Sequence, residues 1–389
     1  MTTGTLAESA GNTSGRVLIY AARANEPEHE RAIYAELGRR IARLLGLPFG
    51  GAHDARRSYP GRNYILPTDT IIGLTLAGEL GLREETDLFG GIAPYPFVPT
   101  KAITHPLFSA GSFAPPGWSH DFSRRVSRAV LRGTTVFSLD DARQAGAVLL
   151  RTGPLRLKPV LATAGRGQQV VRDERALDAA LSEVEPDVLT EYGLVLEENL
   201  KQVQTFSVGR VRVGDDTAAY VGTQRLTRDN QGETVYGGSD LLVARGGFDQ
   251  LMALPLDETS LQAIRKARCY DESASACFPG LLASRRNYDI ALGQDAAGQW
   301  RIGVLEQSWR PGGASAAEIR ALETLREQPG LQAVRASTLE LFGERPNAPE
   351  GALLMYQGSD DSIGPISKYV MVKPWRGQTA ASEKSATLA

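Results

Sequence analysis

From residue 17 onward, short β-branched runs alternate with segments whose apolar residues recur at helical spacing. The run VLIY at Val17–Tyr20 has the composition of a strand, and the segment from His29 to Gly46 repeats isoleucine and leucine on one helical face before a glycine. The same reasoning indicates strands at 64–66, 70–72, 135–137 and 156–160, and helices over 123–131 and, behind a Ser138 N-cap, up to Leu150. A proline-rich stretch from Ile92 to Trp118 predicts a loop. The alternation predicts an α/β fold, in the broad sense that includes α+β.

Composition excludes several classes of function. The 43 lysines and arginines nearly balance the 45 aspartates and glutamates, for a formal net charge of -2, so no bulk attraction to nucleic acid or to an acidic membrane is expected. Cys269 and Cys277 lack the spacing of a zinc site or a disulfide framework. The polar N-terminus and the lack of a long apolar run predict a cytoplasmic protein with no nucleic acid and no membrane as partners. A length of 389 residues indicates two or three domains.

The stretch RLKPVLATAGRGQQVV, at 156–171, predicts a strand, a glycine loop and a second strand. Lys158 lies at the root of this loop, and a solvent-facing ammonium there can bridge phosphate oxygens. Gly165, Arg166 and Gly167 form the loop, where glycines let backbone N–H groups turn toward an anion. The segment therefore predicts a phosphate-binding cover. An ordinary glycine hairpin with an exposed lysine and arginine stays open as the alternative.

The stretch NYDIALGQDAAGQWRIGVLEQSWRPGG, which starts at Asn287, predicts a hairpin with a carboxylate on each strand. Asp289 and Glu306 would face each other across it, and magnesium is commonly held by one or two carboxylates together with substrate phosphates. At the two-residue period of a strand, Glu306, Ser308 and Arg310 share one face. The hairpin therefore predicts a magnesium site with an arginine beyond it. A surface hairpin with scattered charges is the alternative.

Taken in chain order, the lysine and proline, the glycine loop and the acidic hairpin resemble the ATP-grasp superfamily of ligases over about 123–330. KPVLATAGRGQ is similar to the K-P-V-x-x-x-x-G-[KR]-G-Q segment of the formate-dependent glycinamide ribonucleotide transformylase branch, and LEQSWRP resembles the E-V-S-P-R-P of that branch. The whole chain also resembles a bacterial ATP-grasp-like family. The resemblance implies an ATP-grasp fold with an N-terminal Rossmann-like pre-ATP-grasp domain, and it implies ATP and Mg2+ as cofactors.

The resemblance also implies a role for each matched residue. The catalytic residues would be Arg310 and Lys158; the nucleotide contacts Arg124, Lys158, Gly165, Arg166, Gly167, Val195, Leu196, Glu197 and Glu198; and the metal ligands Asp289, Glu306 and Ser308. Apart from the resemblance, Arg285 and Arg286 stand just before Asp289, where a guanidinium can bind phosphates or a substrate carboxylate through two hydrogen bonds. Arg285 of this pair is therefore a third catalytic candidate, and a solvated arginine pair stays open as the alternative. Ser308 stands where most relatives carry asparagine, and its hydroxyl also offers an oxygen. Gln204 and Thr205 stand where these enzymes often place a ribose-binding carboxylate. Lys101 and His105, in the proline-rich stretch, are interpreted as loop residues outside the site.

The predicted domains are a disordered leader over 1–16, an N-terminal α/β pre-ATP-grasp domain over 17–122, a small ATP-grasp subdomain over 123–190, a large ATP-grasp subdomain with a C-terminal extension over 191–376 and a disordered tail over 377–389. The implied activity is ATP- and Mg-dependent ligation, in which a carboxylate becomes an acyl-phosphate that an amine, thiol or similar nucleophile attacks. The expected partners are thus a small-molecule carboxylate and a nucleophilic acceptor, and a homodimer is compatible with the sequence. Two alternatives stay open: a non-catalytic ATP-grasp-like nucleotide-binding protein and a biotin-carboxylase-like activity.

Overall fold

The computed structural model describes residues 15–23, 25–161, 167–344 and 346–377. The strands are β1 Val17–Tyr20, β2 Phe49–Ala52, β3 Tyr64–Pro67, β4 Ile71–Ile72, β5 Gly91–Ala93, β6 Gly133–Val136, β7 Leu155–Pro159, β8 Gln169–Val171, β9 Leu194–Glu198, β10 Lys201–Val213, β11 Asp216–Arg228, β12 Thr234–Arg245, β13 Leu282–Ala283, β14 Arg285–Gln294, β15 Trp300–Ser308, β16 Ala333–Phe342, β17 Leu353–Asp360 and β18 Gly364–Pro374. The helices are α1 Glu28–Leu45, α2 Leu74–Glu79, α3 His120–Val126, α4 Leu139–Leu150, α5 Glu174–Leu181, α6 Pro186–Tyr192, α7 Phe248–Met252, α8 Glu258–Cys277 and α9 Ser315–Glu327, with short 3-10 helices at Glu85–Asp87 and Lys101–Thr104. Among these described helices, none is both long and apolar enough to cross a membrane.

The first part of the chain is built on a parallel sheet in the order β2-β1-β3. Helix α1 packs into the same core through Leu37 and Ile41, as its helical spacing predicts. The helix ends at Gly46, whose left-handed backbone lets its N–H donate to the Arg43 carbonyl at 3.3 Å. The predicted strand at Val17–Tyr20 and the predicted helix after it are confirmed. A second small sheet, β4-β5-β13, links this part to the later chain.

The middle of the chain forms an antiparallel sheet in the order β6-β9-β7-β8. Helices α4 and α5 pack against it, and the Ser138 side chain accepts a hydrogen bond from Asp141 N at 3.2 Å, which confirms the predicted N-cap. Strand β9 lies between β6 and β7 and pairs with both. This sheet, called the small sheet below, therefore continues to Glu198, beyond the boundary predicted at residue 190.

The remaining strands form an antiparallel sheet in the order β15-β14-β10-β11-β12-β16-β18-β17, called the large sheet below. Helix α8 packs on one face around Val208 of β10, and α9 packs on the other around Val211. The odd-numbered residues of this strand therefore share the α9 face, as the pleat requires. Ser207 is one of them, and it lies opposite Asp289 of β14. The predicted hairpin is formed by β14 and β15, at the edge of the large sheet.

The helix predicted over 123–131 is wrong in its second half. Helix α3 begins after Ser119, whose hydroxyl accepts a hydrogen bond from Phe122 N at 3.1 Å, and it ends at Val126. The chain then runs beside β15, where Val304 N donates to Ala129 O at 2.9 Å. A contact with the edge of the large sheet therefore overrides the local helical preference.

Candidate functional site

Lys158 lies on β7, and its ammonium contacts the Glu197 carboxylate on the neighbouring strand β9. The lysine is only 3% exposed, so the expected solvent-facing ammonium is wrong. A buried ammonium needs a counter-ion, and β9 supplies one. Gly167, at the end of the predicted loop, has a left-handed φ of 66°, which glycine adopts without strain. Gly165 and Arg166 lie outside the described residues.

Glu197 is held from two sides, because His105 Nε2 lies 2.9 Å from its second carboxylate oxygen. Burial alone would raise the pKa of Glu197, but Lys158 and His105 outweigh it, so this pKa lies below its usual value. The His105 ring packs against Gly133, where an added Cβ would lie 2.8 Å from the ring. His105, interpreted from the sequence as a loop residue, therefore belongs to a buried cluster with Lys158 and Glu197.

The other predicted nucleotide contacts on β9 have buried side chains. Val195 packs in the core around α8, and Leu196 packs in the core of the small sheet. Glu198 accepts a hydrogen bond from Arg132 N at 2.9 Å. These side chains fix β9 within the small sheet, next to the point where the chain passes on to the large sheet.

Asp289 on β14 and Glu306 on β15 lie directly opposite each other, as the sequence predicts. Asp289 Oδ1 accepts hydrogen bonds from Gln224 and Asn287, each at 3.1 Å, and from Ser207 at 3.4 Å. Burial, and then the negative charge of Glu306, raise the pKa of Asp289 to about 6. A cation bound by the two carboxylates would relieve this repulsion.

A β-bulge sets the direction of Glu306. The pairing between β14 and β15 shifts beside this residue, which leaves Leu305 as the extra residue of β15. Beyond the bulge, Gln307 and Trp309 are buried, while Glu306 and Ser308 stay partly exposed on the other side of the strand. Glu306 and Ser308 therefore share one face of this end of β15, as the sequence predicts.

Lys101 reaches Glu306 from the first part of the chain. Its Nζ lies 2.9 Å from Glu306 Oε2, although only 6% of the residue is exposed. The lysine belongs to the short 3-10 helix in the proline-rich stretch that the sequence predicts as a loop. The interpretation of Lys101 as a residue outside the site is therefore wrong, because the lysine contacts one of the paired carboxylates. No local pattern marks this residue, because the contact depends on tertiary packing.

Arg285 is buried beneath the hairpin, where its guanidinium donates to both carboxylate oxygens of Glu318 on α9 at 2.9 to 3.2 Å. Its Nη1 also donates to Ser308 Oγ at 3.3 Å and to the Arg310 carbonyl at 2.8 Å. Burial alone would lower the pKa of Arg285, but Glu318 outweighs it and raises the pKa. Arg285 therefore fixes the end of β15 through protein atoms. Arg286, the other candidate of the pair, contacts Glu85 and Asp271 on the α8 face instead.

Two further predicted cations lie nearer the surface. Arg310 follows β15 and is 32% exposed, with its Nε 3.8 Å from Asp69 Oδ1 in the first part of the chain. Arg124 on α3 is 74% exposed and pairs with Asp121 at 3.3 Å. Within the described ranges, no hydrogen bond or ion pair joins Arg124 to the Lys158 cluster or to the hairpin. The structure thus places Arg310 just after the hairpin and beside Asp69, whereas Arg124 lies on the surface of α3.

Two carboxylates are the ligands that the hairpin offers to a divalent cation. Across the described part of the chain, no group of three or more histidine, cysteine, aspartate or glutamate side chains is arranged to hold a metal ion alone. Magnesium is usually held by one or two carboxylates, waters and the phosphates of a nucleotide, rather than by an all-protein cage. Asp289 and Glu306 fit that arrangement.

Three solved structures are similar to this chain over most of its length. Biotin carboxylase from Campylobacter jejuni aligns with a TM-score of 0.50 at 12% identity, covering 93% of this chain and 88% of that one. Phosphoribosylamine--glycine ligase from Thermotoga maritima aligns at 0.49 and 13% identity, covering 92% of each chain. D-alanine--D-alanine ligase from Bacillus anthracis aligns at 0.43 and 11%, covering 82% and 100%. The chain has the ATP-grasp fold with an N-terminal Rossmann-like domain, so the fold predicted from the sequence is confirmed.

Within this class, the chain belongs to the family described as protein of unknown function (DUF3182), whose model matches residues 17–370. A search of curated proteins gives no match. The matched range begins at β1 and ends within β18, so it includes Lys158 and both carboxylates of the hairpin.

Proposed function

We propose that the protein is an ATP- and Mg2+-dependent ligase that activates a carboxylate as an acyl-phosphate. The proposal is carried by two charged clusters in a chain with the ATP-grasp fold: Lys158 with Glu197 on the small sheet, and Asp289 opposite Glu306 on the large sheet. A lysine suits the phosphates of a nucleotide, and a carboxylate pair suits the cation that accompanies them. Fold alone does not assign a reaction, so these residues carry the argument.

In the proposed reaction, a carboxylate oxygen of the substrate attacks the γ-phosphorus of ATP, the bond from that phosphorus to the bridging oxygen breaks, and ADP leaves. An amine, a thiol or a similar nucleophile then attacks the acyl carbon and loses its proton, and inorganic phosphate leaves. Both steps move negative charge between oxygens. Fixed cations around the phosphoryl group therefore favour both transition states.

Each of these residues has its own role in the proposed reaction. Lys158 would bind the nucleotide phosphates, with Glu197 as its counter-ion, and Arg310, beyond the hairpin, would contact the acyl-phosphate. Arg285 acts as a positioning residue under this proposal, because it binds the Arg310 carbonyl and stays paired with protein atoms. Asp289 and Glu306 would hold magnesium, with the Ser308 hydroxyl as a neighbouring oxygen. Magnesium, when bound, supplies positive charge to the transferring phosphoryl group.

A non-catalytic nucleotide-binding protein is the second candidate. The observation in its favour is the direct contact between Lys158 and Glu197, which neutralises the lysine in the protein alone. A site of this kind would hold Mg-ATP without a step that consumes it.

The test is a calorimetric titration with Mg-ATP, followed by ADP release measured across a library of carboxylates with amine and thiol acceptors. We expect micromolar to millimolar Mg-ATP binding and ADP release with a subset of carboxylates. Glu306→Gln should keep part of the nucleotide affinity but lose metal-dependent turnover, because an amide oxygen is a poor ligand for a hard cation. Glu79→Gln, at an exposed position on α2, is the matched control. A parent that binds Mg-ATP but releases no ADP with any carboxylate supports the second candidate.

A further inference from the structure

One short segment of the first part of the chain touches both charged clusters. Residues 101–105, called the KAITH segment below, are buried, with exposed fractions of 6% or less. Lys101 at its start contacts Glu306, and His105 at its end contacts Glu197. A segment predicted as a loop therefore supplies a partner to a carboxylate on each sheet.

Hydrogen bonds from both sheets hold the KAITH segment in place. The Gln307 side chain donates to the carbonyls of Val98 and Thr100, at 2.8 and 2.7 Å, just before the segment. The Thr135 hydroxyl donates to the Ala102 carbonyl at 2.6 Å from the small sheet. Because these anchors fix the backbone on both sides of Lys101, the position of its ammonium is built into the fold.

The atoms around the carboxylate pair leave limited room for metal ligation. Lys101 occupies Glu306 Oε2, and the hydrogen bonds that Asp289 accepts within the described chain all end at Oδ1. The next oxygen on that face, Ser308 Oγ, lies 3.3 Å from the cationic Nη1 of Arg285. Two fixed protein cations therefore flank the strand face that carries Glu306, and they repel a second divalent cation at Glu306 Oε2 or Ser308 Oγ.

We propose that Lys101 is a built-in cation of the nucleotide site, so that Mg-ATP binds with a single divalent cation held by Asp289 and Glu306. The inference rests on the proposed function, since it concerns the cations that accompany the nucleotide. The Lys101 ammonium takes the place that a second cation would need on Glu306. Lys101 then contributes charge to the phosphates of the nucleotide without a metal at that oxygen.

The experiment counts bound Mn2+ per bound nucleotide, with the β,γ-imido analogue of ATP as the probe. Free Mn2+ is followed by electron paramagnetic resonance, and nucleotide binding by calorimetry on the same samples. We expect about one Mn2+ per nucleotide in the parent and in Lys101→Arg, which keeps the charge. Lys101→Met should bind about two, because the vacated Glu306 oxygen becomes available to a second cation. Lys373→Met, at an exposed position on β18, is the matched control and should behave as the parent.

Two results overturn the inference while the proposed function stands: two Mn2+ per nucleotide in the parent, or an unchanged count in folded Lys101→Met. If Lys101→Met does not fold, the parent count alone decides, since it needs no variant. A parent that binds no nucleotide at any Mn2+ concentration overturns the proposed function itself, and the inference with it. Calorimetry therefore distinguishes a protein that binds no nucleotide from one that binds nucleotide with a different number of Mn2+ ions.

Discussion

Lys158 is a buried cation, and the carboxylate of Glu197 compensates its charge. Glu197 contacts it directly, and His105 holds the other oxygen of that carboxylate. A buried ion pair that loses one partner leaves an uncompensated charge, at a cost of about 3–5 kcal/mol. Substitutions at Lys158 therefore act on both stability and ligand binding, and the two effects must be measured separately.

The first prediction concerns Lys158→Met. It should lower the free energy of unfolding by about 3–5 kcal/mol, because Glu197 stays buried without its main counter-charge. It should also weaken Mg-ATP binding by roughly tenfold or more, which is the loss of one charge-assisted hydrogen bond of about 1.5–3 kcal/mol. Urea unfolding and calorimetry measure the two quantities.

The double variant Lys158→Met with Glu197→Gln is the control for this prediction. It removes both charges, so part of the stability should return while Mg-ATP binding stays weak. A folded Lys158→Met that binds Mg-ATP as tightly as the parent would remove the lysine from the nucleotide site.

A second prediction at this scale uses the pKa of Asp289, which the fold raises from 3.8 to about 6. Between these values the folded protein keeps a proton that the unfolded chain has released. Raising the pH from about 4 to about 6 therefore lowers the free energy of unfolding, and above that range the loss is complete. Asp289→Asn has no such proton, so its stability relative to the parent should rise over this range and then level off.

Urea unfolding in EDTA at several pH values measures this difference. Asp187→Asn, at an exposed position on α6, is the control. A gap between Asp289→Asn and the parent that stays constant from pH 4 to pH 7 contradicts the assignment of burial and of Glu306 as causes of the raised pKa.

Residue types and spacing were enough to predict the facing positions of Asp289 and Glu306, because both lie in one hairpin and the two-residue period of strands fixes their face. Lys101 and His105 could not be predicted in this way. Each meets its carboxylate across a large distance in sequence, through a proline-rich segment that has no periodicity. The burial of Lys158 could not be predicted either, because its counter-ion Glu197 comes from the neighbouring strand β9.

At the scale of elements, α9 holds the hairpin from below. Glu318 on this helix accepts hydrogen bonds from Arg285 at the start of β14 and from Tyr220 on β11, the latter at 2.6 Å. Arg285 then binds the backbone at the end of β15. The helix therefore fixes the end of β15, and with it Arg310, relative to the rest of the large sheet.

The third prediction is that Glu318→Gln loosens this connection. A neutral amide leaves the buried Arg285 without its counter-charge, so the free energy of unfolding should fall by about 3–5 kcal/mol. Turnover should fall more than Mg-ATP affinity, because Arg310 is displaced while Lys158 is untouched. Glu327→Gln, at an exposed position near the end of α9, is the matched control. Equal losses of affinity and turnover would show that α9 supports the whole site and not the end of β15.

Elements with a strong local signal were predicted well, and those set by tertiary contacts were not. Helix α4 follows its Ser138 cap, and β14 and β15 meet at a short turn, so both follow from nearby residues. The end of α3 at Val126 was missed because the next residues pair with β15. The placement of β9 in the small sheet was missed because strand partners are chosen by the whole fold.

At the scale of the whole molecule, three parts of the chain meet at the candidate site. The small sheet supplies Lys158, the large sheet supplies the carboxylate pair, and the first part supplies Lys101 and the Asp69 carboxylate beside Arg310. A ligand that contacts all three parts stabilises them together, and the gain in unfolding free energy follows its concentration relative to its Kd. Binding alone, however, does not distinguish a ligase from a protein that only holds nucleotide.

The fourth prediction makes that distinction with Arg310→Ala. Arg310 follows the hairpin and pairs with Asp69, and within the described residues no hydrogen bond or ion pair joins it to Lys158, so its removal should leave Mg-ATP affinity nearly unchanged. If the protein is a ligase, carboxylate-stimulated ADP release should fall by about a hundredfold, the loss typical of one preorganised contact that strengthens in the transition state. Arg57→Ala, at a side chain 76% exposed, is the control and should keep full activity. Mg-ATP affinity that falls as far as turnover would place Arg310 on the nucleotide rather than on the acyl-phosphate, and the division of roles between Lys158 and Arg310 would then be wrong.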